Sequence, residues 1–214
     1  MAAFDFKKQD KQLYPASEKP CIIDVPEMLF LTVEGAGDPN TAPAYQSALA
    51  VLYGLSYAIK MSKMTGTQPE GYFDYVVPPL EGLWWVQGTD GFDGTRPGAK
   101  DQLCWLSIIR QPSFVTEEAL TAAKASLLKK KPQLDTSAAQ LRRISEGLCG
   151  QILHIGSYDD EPATITRMDA FLKAEGFRTD FTGERKHHEI YLGDPRKTAP
   201  EKLKTIIRHP IVQI

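Results

Sequence analysis

The chain carries one local pattern twice, and that repetition limits what it can fold into. Met28-Leu29-Phe30-Leu31-Thr32-Val33 is a β-rich run closed by the turn cluster Gly35-Ala36-Gly37-Asp38-Pro39. A helix is predicted from Pro43 to about Met61, because Leu49, Leu52, Leu55 and Ile59 recur at helical spacing. About 120 residues later the order returns. Gly150 to Ile155 reads as a strand, Gly156-Ser157-Tyr158-Asp159-Asp160-Glu161-Pro162 as its turn, and a helix follows to Glu175. Ile165, Met168, Phe171 and Leu172 share one face of that helix, and Gly176 stops it. Two copies of a β-α-β-β unit can pair about a pseudo-twofold axis, and the groove between them is a natural place for a ligand.

The rest of the chain fills in this frame. Residues 1–19 are polar and lack periodicity, so they read as an arm. Phe73 to Val77, Leu83 to Val86 and Leu103 to Ile109 are expected as strands, with a glycine-rich loop over 88–98. Thr116-Glu117-Glu118 opens a helix to about Lys131, with Thr116 as cap and the acidic pair in the positive first turn. A short helical segment is expected near Ser137–Ile144. A last helix is expected from Pro200 to near Pro210, where Thr198 and Glu201 have the spacing of a capping box.

Composition narrows the class. With 214 residues, 42% hydrophobic and 24% charged, the chain is long enough for a substantial core. Its formal charge of −2 argues against a nucleic-acid partner, which needs a clustered excess of Lys and Arg. The one basic run, Lys129-Lys130-Lys131, ends a predicted helix. Cys21, Cys104 and Cys149 form an odd, widely spaced set with neither a disulfide framework nor a CxxC zinc pattern. No stretch reaches membrane-span length and no signal peptide is legible, so a cytoplasmic setting is expected.

The common catalytic signatures are missing. Gly54-Leu55-Ser56-Tyr57-Ala58 lacks the last glycine of a nucleophile elbow. Gly35-Ala36-Gly37 lacks the third glycine of a dinucleotide fingerprint, and His188-Glu189 is not followed by the second histidine of a zinc protease. His187 and His188 are adjacent, so on a strand they face opposite ways and suit one metal ion poorly. No metal and no organic cofactor is expected.

Two carboxylates and a set of aromatics are the better lead. Glu189 and Tyr191 lie two apart in His187-His188-Glu189-Ile190-Tyr191-Leu192, so they share one strand face, with Ile190 and Leu192 behind. That face is either solvated or the polar floor of a pocket. Burial of Glu189 without a cation would suit a general-acid role. Trp84, Trp85, Trp105, Tyr72, Tyr75, Tyr158 and Tyr191 sit at or next to predicted strands, either as core or as an electron-rich cage for planar aromatic or cationic ligands. Glu81, in Pro78-Pro79-Leu80-Glu81-Gly82, is either a carboxylate of that cage or an exposed turn residue.

From Pro20 to Ile214 the chain resembles the GyrI-like small-molecule-binding family. The resemblance is carried by Val33-Glu34-Gly35-Ala36-Gly37-Asp38-Pro39, Leu80-Glu81-Gly82-Leu83-Trp84-Trp85, Leu153-His154-Ile155-Gly156-Ser157-Tyr158-Asp159-Asp160-Glu161-Pro162 and His188-Glu189-Ile190-Tyr191-Leu192-Gly193-Asp194-Pro195-Arg196. It implies an α+β fold of tandem β-α-β-β (SHS2-type) repeats, with half-repeats at about 20–115 and 145–214 and a ligand groove between them. It also implies that Glu189 faces the ligand. The 19-residue arm is too short for a helix-turn-helix module, so a transcription activator is not expected. The length and the Leu83-Trp84-Trp85 run are similar to a stand-alone subfamily implied to open the cyclopropane of DNA-alkylating natural products. The resemblance thus implies a cofactor-independent xenobiotic hydrolase, with Glu189 catalytic and Trp84, Trp85, Trp105, Tyr158, Tyr191, Glu81 and Tyr72 around the ligand. A non-catalytic drug-sequestering or gyrase-inhibitor-like protein is the alternative, and the residues do not set an oligomeric state.

Overall fold

The computed structural model describes residues 3–15, 17–88, 92–95 and 100–214, so the glycine-rich loop expected over 88–98 lies partly outside the described residues. The elements in chain order are α1 (Phe6–Gln9), β1 (Cys21–Val25), β2 (Met28–Ala36), α2 (Pro43–Met61), β3 (Leu80–Val86), β4 (Leu103–Arg110), α3 (Glu117–Lys130), β5 (Gln140–Ile144), β6 (Gly147–Ile155), α4 (Glu161–Ala174), β7 (Phe177–Thr179), β8 (His187–Tyr191) and β9 (Lys204–Gln213). The class is α+β: helices lie against one large antiparallel sheet of order β1-β6-β9-β8-β3-β4-β2-β5, with β7 beside the end of β9. Read outward from the β8–β3 seam, the order is β8-β9-β6 on one side and β3-β4-β2 on the other. On each side the strand that precedes the helix, β6 or β2, lies beyond the strand that ends the unit.

The helices form where the apolar spacing placed them. Proline at the first turn of α2 costs no hydrogen bond there, and Val51, Leu52, Leu55 and Ile59 are buried against Leu31, Val33, Trp105 and Ile109. Thr116 caps α3 by accepting from Ala119 N–H. Ile165, Met168 and Leu172 of α4 pack on Ile152, Ile207 and Ile211. The register pairs Trp84 with His187, and Glu189 with both Gly82 and Ile207, so α2 and α4 cover one face of the sheet. Leu13, Ile23, Val25, Phe30, Leu83, Ile108 and Cys149 fill the other.

Several expectations are corrected. Residues 204–213 form a strand, and Pro200–Lys202 is a single 3-10 turn. The β-branched run Thr205-Ile206-Ile207 with Ile211 and Val212 outweighs the apparent capping box, because it gains a central ladder to both β6 and β8. Gln140–Ile144 is likewise a strand, an edge partner of β2 whose Arg142 and Arg143 meet Glu34 and Glu27 in solvent. Of the strand expected over 73–77, only a bridge from Tyr75 to Phe4 forms. The first strand, Cys21–Val25, lies outside the strands expected from the sequence and pairs with β6. The arm is docked, with Leu13 buried and Asp10 paired to Arg110 at 2.7 Å.

The far face also holds a buried ionic cluster. His188 Nδ1 lies 2.9 Å from Glu146 Oε1, and Nε2 lies 3.0 Å from Glu81 Oε2, off the hydrogen-bond direction. Arg208 donates to Glu146, Gln151 and the carbonyl of Leu13. Burial alone would lower the His188 pKa, but Glu146 and then Glu81 outweigh it and hold the imidazolium up to about 9. Burial would raise Glu146, but His188 and Arg208 hold it at about 2.

A folded pKa raised above 6.5 gives stability that is complete below pH 6.5 and declines as the pH climbs to about 9. Urea titrations should therefore show stability falling across that interval. The Glu146 contribution runs the other way, complete above pH 4.5 and lost as the pH drops toward 2. His188→Gln should abolish the alkaline slope and cost about 3–5 kcal/mol, because carboxylates stay buried without their cation. A variant that keeps the alkaline slope would assign it elsewhere.

Candidate functional site in the groove over the β3–β8 seam

Alternation along β8 sends His187, Glu189 and Tyr191 to the helix-covered face, and His188 and Ile190 to the other. Above them opens a groove of about 1910 Å³ that continues along α2 to α3 and is lined at this end by Tyr45, Trp84, Tyr158, Glu161, Glu189 and Tyr191. The Tyr191 hydroxyl donates to Glu189 Oε2 at 2.8 Å and accepts from Trp84 Nε1 at 2.9 Å. Burial and then the Glu189 charge push the Tyr191 pKa well up, so this hydroxyl stays a donor. Glu189 Oε1 takes the other side, 2.9 Å from His187 Nε2.

The histidine continues the chain of bonds inward. His187 Nδ1 and His209 Nε2 are 2.7 Å apart. Burial and His187 push the His209 pKa well below its usual value, so His209 is neutral. In the neutral tautomer of His187 whose Nε2 donates to Glu189, its Nδ1 accepts from His209 Nε2–H. His209 Nδ1 is then a bare lone pair, and that is the buried atom without a partner. Phe92 stands edge-on to His187, with ring centres 5.7 Å apart.

A second carboxyl meets this one. Glu161 is the first residue of α4, 4% exposed, and its Oε1 has no hydrogen-bond partner. Donor atoms of Glu161, His187 and Glu189 all lie within 4.8 Å of one another, close enough to surround a cation. In this structure His187 Nε2 is bonded to Glu189 and Nδ1 to His209, so these three form one hydrogen-bonded row beside Glu161. Burial, then the Glu189 charge, push the Glu161 pKa well above the usual carboxyl range, against the opposing Thr205 hydroxyl. One carboxyl is fixed as an acceptor and the other holds its proton.

The aromatic wall is narrower than the sequence suggested. Trp84, Tyr158 and Tyr191 line the groove, and Tyr45 joins them, its ring 5.8 Å from Trp84. Tyr158 stands edge-on to Tyr191, and burial followed by Glu189 raises its pKa to about 12. Trp105 is core, 1% exposed, and packs so close to Gly35 that a Cβ there would come within 2.3 Å of its ring. Trp85 and Glu81 flank Trp84 and Gly82 by one residue, so both face the opposite side of the sheet. There Trp85 packs with the Leu83 cluster, under the Lys186 ammonium, and Glu81 meets His188. Tyr72 stacks on Phe114 and donates to the Lys60 carbonyl. Sequence reasoning missed Tyr45, His209 and Glu161. Tyr45 was hidden in the first turn of α2, and Glu161 read as turn because two aspartates precede it and Pro162 follows.

Gly82 makes the arrangement possible. A Cβ there would stand 2.7 Å from Trp84 Nε1 and 3.2 Å from the Tyr191 oxygen. Gly82→Ala should therefore push the Trp84–Tyr191 pair apart, at about 1–3 kcal/mol for overpacking. Urea unfolding measures that cost, and an altered tryptophan emission in the folded state reports the displaced indole. An alanine variant with native stability and native emission would show that the pair adapts freely.

Among the described residues, no helix is long and apolar enough to cross a membrane. No curated protein matches the chain significantly. Among solved structures, one described as a hydrolase from Listeria innocua is 48% identical over 98% of this chain and 100% of its own, with a TM-score of 0.88. Another, described as an uncharacterized conserved protein from Listeria innocua, is 51% identical over the same shares, with a TM-score of 0.90. The EcmrR C-terminal domain, 10% identical over 92% of this chain and 98% of its own, shares the fold, with a TM-score of 0.52. The GyrI-like small molecule binding domain matches residues 98–212, and together with the 48–51% identities this places the chain plainly: it belongs to the GyrI-like family.

Proposed function

We propose that this chain binds planar aromatic electrophiles in the groove and hydrolyses strained ones, a cyclopropane conjugated to a dienone being the model substrate. The observation that carries this is the Trp84–Tyr191–Glu189 chain of hydrogen bonds inside an aromatic groove. Tyr45, Trp84 and Tyr158 offer ring faces and edges to a flat ligand. Glu189 is held on both oxygens, so it is positioned to orient a water and take its proton. Water would then attack the strained carbon while the dienone carbonyl gains a proton, and no cofactor enters that account.

The relatives described as hydrolases support the enzymatic part of this reading. We place the activity in the cytoplasm, where free thiols such as Cys21, Cys104 and Cys149 persist, as protection against a xenobiotic. We further propose that residues 20–214 act as one ligand-binding unit, with no nucleic acid as partner. A groove this wide also suits simple sequestration of a drug, the second reading. Turnover separates the two: more product than enzyme means catalysis, and intact ligand recovered from the complex means sequestration.

Glu189→Gln is nearly isosteric, still accepts from Tyr191 and can donate its amide N–H to His187 Nε2 once that imidazole takes its other tautomer, but it cannot take a proton. It should keep near-native thermal stability and ligand binding, and lose roughly 10²–10⁴-fold in turnover of a cyclopropane-bearing alkylator, followed by mass spectrometry. A stable variant that turns over at the wild-type rate would move the base elsewhere.

A further inference from the structure

We propose that Glu161 and Glu189 form an acid–base carboxyl pair built to open aryl epoxides to vicinal diols by direct addition of water. This deepens the hydrolase reading and rests on the same groove and on Glu189. Three observations carry it.

First, the two carboxyls differ in what they can do. Both oxygens of Glu189 have partners, His187 on one and Tyr191 on the other, so its position is set and its task is to accept. Glu161 is buried, its Oε1 is unpartnered, and it lines the same groove. An unpartnered buried oxygen is costly unless a ligand completes it, so this atom marks where a substrate acceptor belongs. The groups facing Glu161 are Glu189 and His187 on β8, Thr205 on β9 and Asp159 of the preceding turn, and none of them is a lysine or arginine. Its proton is therefore retained for donation.

Second, the spacing admits the substrate. In a backside opening, the entering oxygen approaches to about 3 Å on the side opposite the breaking bond, so the entering and departing atoms stand about 4–5 Å apart. Two carboxyl oxygens within 4.8 Å of each other can each hydrogen-bond one of those atoms. An epoxide fits, because its leaving oxygen is bonded to the attacked carbon. In a cyclopropane conjugated to a dienone, the oxygen to be protonated lies across the ring from the attacked carbon. The pair cannot reach both at once, and there only Glu189 acts. Third, Tyr45, Trp84 and Tyr158 beside the pair supply the surface for an aryl group on the epoxide.

The step balances without a co-reactant other than water. Glu189 takes a proton from water as the water oxygen bonds to carbon. The ring C–O bond breaks, its electrons go to the ring oxygen, and that oxygen takes the Glu161 proton. The diol leaves, and a proton passes from Glu189 back to Glu161 across the short gap between them.

The test uses the full chain with phenanthrene 9,10-oxide and, in parallel, a cyclopropane-bearing dienone. The expected result is catalytic formation of the trans diol, with solvent ¹⁸O incorporated in the first turnover. Glu161→Gln should lower kcat on the epoxide by roughly 10²–10⁴-fold with KM little changed, Glu161→Asp should restore part of it, and turnover of the dienone should fall far less. Absence of diol while the dienone is still hydrolysed overturns the epoxide inference and leaves the hydrolase reading standing. Failure on both substrates overturns both. A first-turnover diol without solvent ¹⁸O also overturns the inference, since it reveals an ester to the enzyme. A folded Glu161→Gln chain with wild-type epoxide turnover removes Glu161 from the chemistry.

Discussion

The ladder between β3 and β8 is the constraint on which the rest of the molecule depends. Among the described strands it is the one place where the two sides of the sheet are joined, through residues 81–84 and 187–190. Everything with chemical potential sits on or beside it. A slip of one residue in that register would turn Glu189 and Tyr191 into the far core and bring His188 into the groove. The register is held against that slip from both faces. On the helix side, Trp84 of β3 donates to Tyr191 of β8 across the seam. On the far side, Glu81 of β3 meets His188 of β8, which is bound in turn to Glu146 and through it to Arg208 of β9.

The two faces handle charge in opposite ways. On the far face Glu146 is matched by an imidazolium and a guanidinium, which hold it ionised against burial. On the groove face Glu189 accepts from His187 and Tyr191, while burial and then the Glu189 charge favour keeping a proton on Glu161. Desolvation acts on both faces alike; what differs is whether a cation is within reach. The same strand, β8, contributes His188 to the first arrangement and Glu189 to the second, one residue apart. Two adjacent positions thus separate a group that stabilises from a group that can react.

How far this was legible in the sequence follows from how local each signal is. α2, α3 and α4 were legible because their apolar spacing is a property of a dozen consecutive residues. The shared face of Glu189 and Tyr191 was legible because alternation in a strand is equally local. β9 was not, since Thr198 and Glu201 imitate a cap and only the long-range ladders to β6 and β8 decide the matter. Trp84 and Trp85 could not be told apart, because which of two neighbours faces the groove depends on the face that α2 covers. Glu161 was invisible as a site residue for the same reason. Its burial comes from the packing of α4 on β9, about forty residues on in the chain.

The division of labour between Glu161 and Glu189 then follows from position alone, with no difference in residue type. Glu189 projects from a strand whose neighbours, His187 and Tyr191, lie on the same face and offer N–H and O–H groups to it. Glu161 stands at the first turn of a helix, where the dipole would favour an anion. Nevertheless burial and the neighbouring Glu189 charge prevail, because the dipole effect is about 0.3–1 kcal/mol at an exposed end and a like charge nearby in an apolar setting weighs more. Removing the His187 and Tyr191 hydrogen bonds from Glu189 would erase that asymmetry and leave two carboxyls competing for one proton. In the proposed pair, the hydrogen bonds from His187 and from Tyr191, itself held by Trp84 over the bare backbone of Gly82, are therefore what would make Glu189 the base and Glu161 the acid.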